Sequence, residues 1–191
     1  VIGKPFILCV CLTLWAGGYM EKWQQEKDAC RKWMYARMLY HSGGYKAANE
    51  AYEKLYPVLR GRGAFLFEYG HSLHKSFLYG DSNKYLEEAC RYSSDPMVLN
   101  VMGKNYQEQH CYEQAEKFFY RAIHRLPGRI YPYYLLANLY AEPDFYKPDK
   151  LKEAADSVLT KEPKVHSTAI DEMRSEVREI LKRKDKCEIT K

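Results

Sequence analysis

Apolar residues of two sizes recur along this chain in a pattern that repeats every 33 to 34 residues. Four small residues, Ala36, Gly70, Gly103 and Ala137, are spaced 34, 33 and 34 positions apart. The most complete copy has large and small positions in a fixed order and ends with a proline: Leu99, Gly103, Tyr106, Tyr112, Ala115, Phe119, Ala122 and Pro127. Small residues allow two helices to approach closely, and the proline ends the second helix.

This period and this order of side chains are those of the tetratricopeptide repeat, in which two helices, A and B, pack against each other. We predict an all-α, right-handed superhelix of about four helix pairs. The repeats are placed at residues 21–60, 61–94, 95–128 and 129–163. In the fourth repeat, Ala137 and Ala154 are 17 residues apart instead of 12, so the turn Glu142–Asp149 is expected to be longer than the others.

A charged segment with one apolar stripe follows the last repeat. The stripe consists of Ile170, Met173, Val177, Ile180 and Leu181. An open stack of repeats needs a helix that covers its last apolar surface, so residues 164–184 are predicted to be a capping helix. Residues 185–191 are predicted to be a frayed basic tail.

The amino end contains a run of 16 residues without a charge, residues 5–20. A membrane-spanning helix needs about 20 apolar residues. The run therefore suits the end of a transmembrane helix or anchor over residues 1–20, with Trp15, Tyr19 and Trp23 at the membrane interface. We favour this interpretation. Two others stay open: a signal peptide cleaved near Ala16, and a helix buried in the core of the protein.

Composition and motifs exclude several classes of function. With 46% apolar and 29% charged residues the chain is not disordered, and a net charge of +5 is too small to indicate nucleic-acid binding. The six cysteines include no C-x-x-C pair, and His71 and His74 have no evident third metal ligand. The sequence contains no pattern typical of a catalytic triad or a phosphate-binding loop. We expect no catalysis, cofactor, metal or small-molecule substrate in this chain.

Helix A of each repeat is expected to line the concave face of the superhelix. The side chains predicted there are aromatic, amide or basic, and they are Trp33, Arg37, Phe67, His71, His74, Lys75, Asn100, Lys104, Gln107, Tyr134 and Asn138. Amides can bond to the backbone of an extended peptide, and aromatic rings can receive its side chains. Arg37 and Lys104 can receive a carboxylate. We predict that this groove binds a protein or peptide partner.

Several segments also resemble a known family. The stretches Phe65–Lys75, Ser93–Tyr106, Arg129–Pro143 and Val158–Arg174 are similar to the carboxyl-terminal repeat region of Bacteroidetes-type membrane proteins of the O-antigen ligase/polymerase family. The resemblance implies a multi-spanning membrane domain before a tetratricopeptide tail, with the catalytic arginine and histidine outside the tail. It also implies that residues 5–20 end the last transmembrane helix. No catalytic residue carries over to this chain.

The resemblance implies a parent protein that ligates or polymerises surface polysaccharide at the bacterial inner membrane. In that setting this chain is predicted to be a non-catalytic scaffold that recruits or positions a protein partner. The alternative is a free-standing tetratricopeptide adaptor, membrane-anchored or secreted, that has no role in glycan chemistry. Just after the uncharged run, the basic residues Lys22, Lys27, Arg31 and Lys32 are offset by Glu21, Glu26 and Asp28, so the charge pattern favours neither side of the membrane.

A shortened chain tests the interpretation of residues 5–20. A chain that begins at Glu21 should be soluble and helical without detergent, because the uncharged run ends at Met20. Circular dichroism and size-exclusion chromatography measure the two properties. Aggregation of the shortened chain, with the full chain soluble, would identify residues 5–20 as part of the core.

Overall fold

The computed structural model describes the backbone of residues 4–163 and 165–189 and the side chains of residues 18–163 and 165–184. Of the described residues, 81% are helical, and none of them belongs to a strand. The helices are α1 (Lys4–His41), α2 (Tyr45–Leu59), α3 (Gly63–Lys75), α4 (Tyr79–Ala89), α5 (Pro96–Glu108), α6 (Tyr112–Arg125), α7 (Tyr131–Ala141), α8 (Pro148–Thr160) and α9 (Thr168–Ile189). A single 3₁₀ turn, Pro143–Phe145, precedes α8.

The helices pack in chain order as pairs. The closest packing is between α1 and α2, α3 and α4, α5 and α6, and α7 and α8, which are the A and B helices of four successive pairs. Each B helix also contacts the A helix that follows it. The backbones of the A helices α1, α3, α5 and α7 approach one another in turn, whereas the described B helices lie farther apart and meet through long side chains, as in the bonds of Tyr56 with Glu88 and Lys150 with Glu116. The stack therefore curves toward its A helices.

Close packing inside each pair depends on one small residue of helix A. The four residues at this position are all buried: Ala36, Gly70, Gly103 and Ala137. A Cβ atom on Gly103 would lie 2.3 Å from Cε1 of Phe119, and one on Gly70 would lie 2.7 Å from Cγ of Leu86. Both distances are shorter than a van der Waals contact, so the facing side chain already fills the space.

The A-to-B turns of the first three pairs share one backbone feature. Gly43, Phe77 and His110 have positive φ values of 83°, 63° and 58°, and they are 34 and 33 positions apart. Glycine adopts this left-handed conformation without a steric penalty, but phenylalanine and histidine do not. The turn geometry therefore repeats even where the residue type does not suit it. Phe77 is also 77% exposed.

The longer turn of the fourth pair is held against α6 by one carboxylate. Glu116 accepts hydrogen bonds from the hydroxyl of Tyr140 and from Nζ of Lys150, each at 2.6 Å. Nζ of Lys147 lies 3.5 Å from the second oxygen of Glu116 and 3.7 Å from the ring centre of Phe145. The inserted residues thus pack on the preceding pair.

Helix α9 continues the layer of A helices. It contacts both α7 and α8, as each A helix contacts the pair before it. Val177 and Ile180 are buried, and Ile170 and Leu181 pack against the same apolar cluster. Arg174 donates hydrogen bonds to two backbone oxygens at the end of α8, at 2.8 and 3.2 Å. The last apolar surface of the stack is covered in this way. The side chains of residues 185–191, the predicted tail, lie outside the described residues.

The predicted membrane segment, residues 5–20, lies almost wholly outside the residues whose side chains are described. Its backbone belongs to α1, which is continuous from Lys4 to His41. Tyr19, Met20 and Trp23, at and just beyond its end, are exposed. Among the described residues, no helix has the length and apolar character that crossing a membrane requires. The anchor stays a prediction.

A methyl group at Gly103 tests the packing of the third pair. We expect Gly103→Ala to lower the free energy of unfolding by about 1–3 kcal/mol, because the Phe119 ring must move to admit the new Cβ. Gly80→Ala in α4 is the matched control, since nothing lies within 4 Å of its Cβ position and alanine favours helix. Urea and thermal unfolding measure both variants. Equal stability of Gly103→Ala and the wild type would mean that the helices do not meet at this position.

Candidate functional site

The stack curves toward α1, α3, α5 and α7, and we call the exposed side of this layer of helices the wall. All eleven predicted groove residues lie on these four helices. Arg37 and Lys75 are exposed, His74 and Asn100 are buried, and the other seven are half-buried. The structure therefore places the predicted residues on the same layer of helices but gives them very different access to a partner.

Glu68 of α3 organises the first part of the wall. Its carboxylate accepts a hydrogen bond from Nε1 of Trp33 at 2.7 Å and forms an ion pair with Nε of Arg37 at 3.0 Å. The hydroxyl of the buried Tyr52 approaches the same carboxylate at 3.4 Å. Arg37, predicted to receive a partner's carboxylate, is thus already paired, with side-chain exposure of 50% against 18% for Glu68. Glu68 was not among the predicted residues, although it is the only acidic residue of α3.

Three rings of α3 stack along the wall. The ring centres of Phe67 and His71 are 5.7 Å apart, and so are those of His71 and His74. Nδ1 of His71 shares a hydrogen bond of 2.6 Å with the hydroxyl of Tyr40 in α1, and Nδ1 of His74 shares one of 2.7 Å with Oδ1 of Asn105 in α5. Burial lowers the pKa of His71 to about 4 and also lowers that of His74, so both rings are neutral near pH 7.

Asn105 connects the wall to the interior. Its amide donates to Oγ of Ser82 at 2.8 Å and to Oδ1 of Asn83 at 2.7 Å, and Ser82 donates to the backbone oxygen of Gly70 at 2.7 Å. His74 completes this buried network. Its bonds fix the relative positions of α3, α4 and α5. His74 is therefore a structural residue, and no described group of three histidines, cysteines or acids could hold a metal ion.

The carboxyl-terminal part of the wall is acidic. Gln107 donates to Oε1 of Glu142 at 3.0 Å, and the hydroxyl of Tyr134 donates to the carboxylate of Glu176 in α9. Asn138 donates to the backbone oxygen of Tyr134 at 3.0 Å. Burial and the bond to Glu176 raise the pKa of Tyr134 to about 12. Glu142 and Glu176 were not predicted, because they lie in the lengthened turn and in α9, outside the helix-A pattern.

Side-chain hydrogen bonds thus join successive elements of the wall. They link Trp33 to Glu68, Tyr40 to His71, His74 to Asn105, Gln107 to Glu142, and Tyr134 to Glu176. Most predicted wall residues therefore use their polar groups within the protein. Lys75 and Lys104 form no ion pair with a described carboxylate, and Oδ1 of Asn100 has no hydrogen-bond partner.

The succession of helix pairs defines the class of fold as a tetratricopeptide-like superhelix. Solved structures of MamA share this fold. The MamA fragment from residue 41 to the end, from Desulfovibrio magneticus RS-1, is 17% identical with a TM-score of 0.60, over 78% of this chain and 76% of that chain. Another MamA crystal structure is 16% identical with a TM-score of 0.62, over 81% of this chain and 88% of that chain. At this identity the likeness shows the fold alone. No protein-family model and no curated protein matches the sequence.

Titration of His71 tests the burial of the wall rings. The folded protein resists protonation of His71 until about pH 4, whereas the unfolded chain takes up the proton near pH 6.5. Because the unfolded state binds more protons in this window, the free energy of unfolding should fall as the pH drops from 6.5 toward 4. Below about pH 4, His71 is protonated in both states, so its contribution to the free energy of unfolding should no longer change. Thermal unfolding across this range should show a smaller loss for His71→Gln than for the wild type. Parallel curves would mean that His71 is open to solvent.

Proposed function

We propose that this protein is a non-catalytic scaffold whose wall binds an extended segment of a protein partner. The observation that supports the proposal is that all eleven predicted aromatic, amide, histidine and basic residues lie on the four A helices, toward which the stack curves. Extended peptides are recognised by surfaces of this kind, with rings for their side chains and amides for their backbone. The tetratricopeptide-like fold supplies such a surface without a catalytic site.

The hydrogen bonds of the wall support this function. Trp33, Tyr40 and Tyr134 are each held by a partner on another element. Their positions are therefore set before a ligand arrives, and binding loses less side-chain entropy than it would on a loose surface. Phe67 contributes a ring that is half-buried and stacked on His71, which leaves part of its apolar surface for a partner.

We place this scaffold in a membrane protein that ligates or polymerises O-antigen or a related surface polysaccharide at the bacterial inner membrane. What supports this setting is the sequence resemblance of the repeat segments and the uncharged run at residues 5–20. In this arrangement residues 5–20 attach the repeats to the membrane. The wall then recruits or positions a protein that acts with the membrane domain, and the chemistry belongs to the membrane domain.

The second candidate is a free-standing adaptor, membrane-anchored or secreted, without a role in glycan chemistry. What supports it is the fold, because the match covers 96% of one MamA crystal structure, so a stack of this size accounts for nearly all of that solved chain. The wall would have the same role in both settings, and the two candidates differ only in what the repeats are attached to.

Photocrosslinking in living cells tests the wall as the interaction surface. A benzophenone amino acid in place of Phe67 or Lys75 should capture a protein partner, because both side chains lie on α3 of the wall. Matched controls replace Lys117 in α6 and Lys152 in α8, which are exposed side chains of B helices. The products are separated by electrophoresis. Adducts from the two control positions alone would place the interaction on the B helices and contradict the proposal.

A further inference from the structure

The connections between helices lie at two opposite edges of the stack. Consecutive helices pack side by side and are joined by short segments, so they run antiparallel. The connections from helix A to helix B therefore share one edge, and those from helix B to the next helix A share the other. The B-to-A connections are residues 60–62, 90–95, 126–130 and 161–167.

The two edges differ in charge. The B-to-A connections contain six basic and two acidic residues. The A-to-B connections, residues 42–44, 76–78, 109–111 and 142–147, contain one basic and two acidic residues. Because the net charge of the whole chain is +5, the B-to-A connections account for most of it. We call the edge that they form the basic edge.

The arginines of the basic edge are available to an external partner. Arg60, Arg91 and Arg129 in the connections and Arg125 at the end of α6 are exposed, and none forms an ion pair with a described carboxylate. A guanidinium group can donate two hydrogen bonds to the oxygens of one phosphate group. The basic edge therefore offers several separate sites for phosphate groups.

The connections of the basic edge form one continuous surface. A Cβ atom on Gly63 would lie 3.1 Å from Cβ of Ser93, so the first two connections touch. Arg91 and Arg125 line one cavity between the second and third connections. The third and fourth connections line the next cavity together. The arginines are thus arranged along a single side of the molecule.

Helix α1 leaves the stack through the basic edge. Among the described side chains, Ala29 is the first buried residue of α1, and it lies 34 positions before Gly63, where α3 begins. The backbone of α1 starts 25 residues before Ala29, which corresponds to about 37 Å of helix. Trp23 of this projecting part lines a cavity with Arg62 of the first connection. The projecting part contains the uncharged run, residues 5–20.

Exposed apolar side chains accompany the arginines. Tyr92, Leu126 and Val165 in the connections are exposed, and so is Trp23 on α1 just beyond the edge. Aromatic side chains are enriched at the interface of a bilayer, and basic side chains are attracted to its anionic lipids. The combination of exposed apolar and basic side chains is typical of a protein surface that contacts a membrane.

We infer that the basic edge rests on the surface of the membrane, with its arginines bound to the phosphate groups of anionic lipids and α1 entering the bilayer beside them. The inference rests on the proposed function, since it takes residues 5–20 as the attachment, and it adds which edge of the stack faces the lipid. The helices then stand upright on the membrane. A segment bound by the wall runs parallel to the membrane surface.

Fluorescence quenching by lipids tests this orientation on the full chain. A fluorescent amino acid replaces either Val165 on the basic edge or Phe77 on the opposite edge, and both side chains are 77% exposed. The chain is reconstituted with vesicles of phosphatidylcholine and phosphatidylglycerol that carry nitroxide-labelled headgroups. We expect strong quenching at position 165 and little at position 77, because the 13 residues of α3 separate the edges by about 20 Å.

An arginine variant tests the role of charge. Arg91→Gln with Arg125→Gln and Arg129→Gln should lose at least about half of the quenching at position 165. The wild type should show a similar loss with vesicles of phosphatidylcholine alone. The matched control removes the same charge from exposed side chains of B helices and should keep the quenching: it combines Lys54→Gln, Lys117→Gln and Lys152→Gln. Thermal unfolding confirms that each variant is folded.

The remaining outcomes separate this inference from the proposed attachment. A chain that floats with the vesicles but is quenched at position 77, or at neither position, would overturn the basic edge and leave residues 5–20 as the attachment. Equal quenching at position 165 in the wild type and the arginine variant would also overturn it. A chain that does not float with vesicles would overturn both. Tighter binding of a single-stranded oligonucleotide than of anionic vesicles, lost in the arginine variant, would assign the edge to a nucleic acid and overturn the inference.

Discussion

The structure depends on how closely helix A approaches helix B within each pair. One position of helix A is glycine or alanine in all four pairs, and at Gly103 the facing ring of Phe119 leaves no room even for a Cβ atom. This approach sets the thickness of a pair and thereby the distance between successive A helices. The A helices are then near enough for their side chains to meet, which is what makes the concave face a continuous surface.

Most polar side chains of the wall are consequently hydrogen-bonded or ion-paired within the protein, and few are available to a ligand. Polar side chains that face a groove can serve a ligand only if the protein has not already used them, and here Glu68 engages Trp33 and Arg37 while Asn105 engages His74. What a partner meets is therefore decided by the residues that remain unpaired. Lys75 and Lys104 form no ion pair with a described carboxylate, and the amide oxygen of Asn100 has no described hydrogen-bond donor.

The repeat pattern predicted the pairs of helices and put all eleven groove residues on the A helices, because small residues at a fixed period reflect a packing requirement. It did not predict which of those residues would have their polar groups hydrogen-bonded within the protein. The bonds from Trp33 to Glu68 and from Gln107 to Glu142 join residues 35 positions apart whose types follow no repeat consensus. The positive φ of Phe77 also escaped prediction, since nothing in the residue type indicates it. The membrane anchor and the polysaccharide setting stay predictions from sequence.

The different spacing of the two layers has a mechanical consequence. The inner helices are joined by side-chain bonds such as those of Tyr40 with His71 and His74 with Asn105, and the outer helices by bonds of Tyr56 with Glu88 and Lys150 with Glu116. Straightening the superhelix must break the inner bonds, and bending it more tightly must break the outer ones. The curvature of the stack is thus held from both sides.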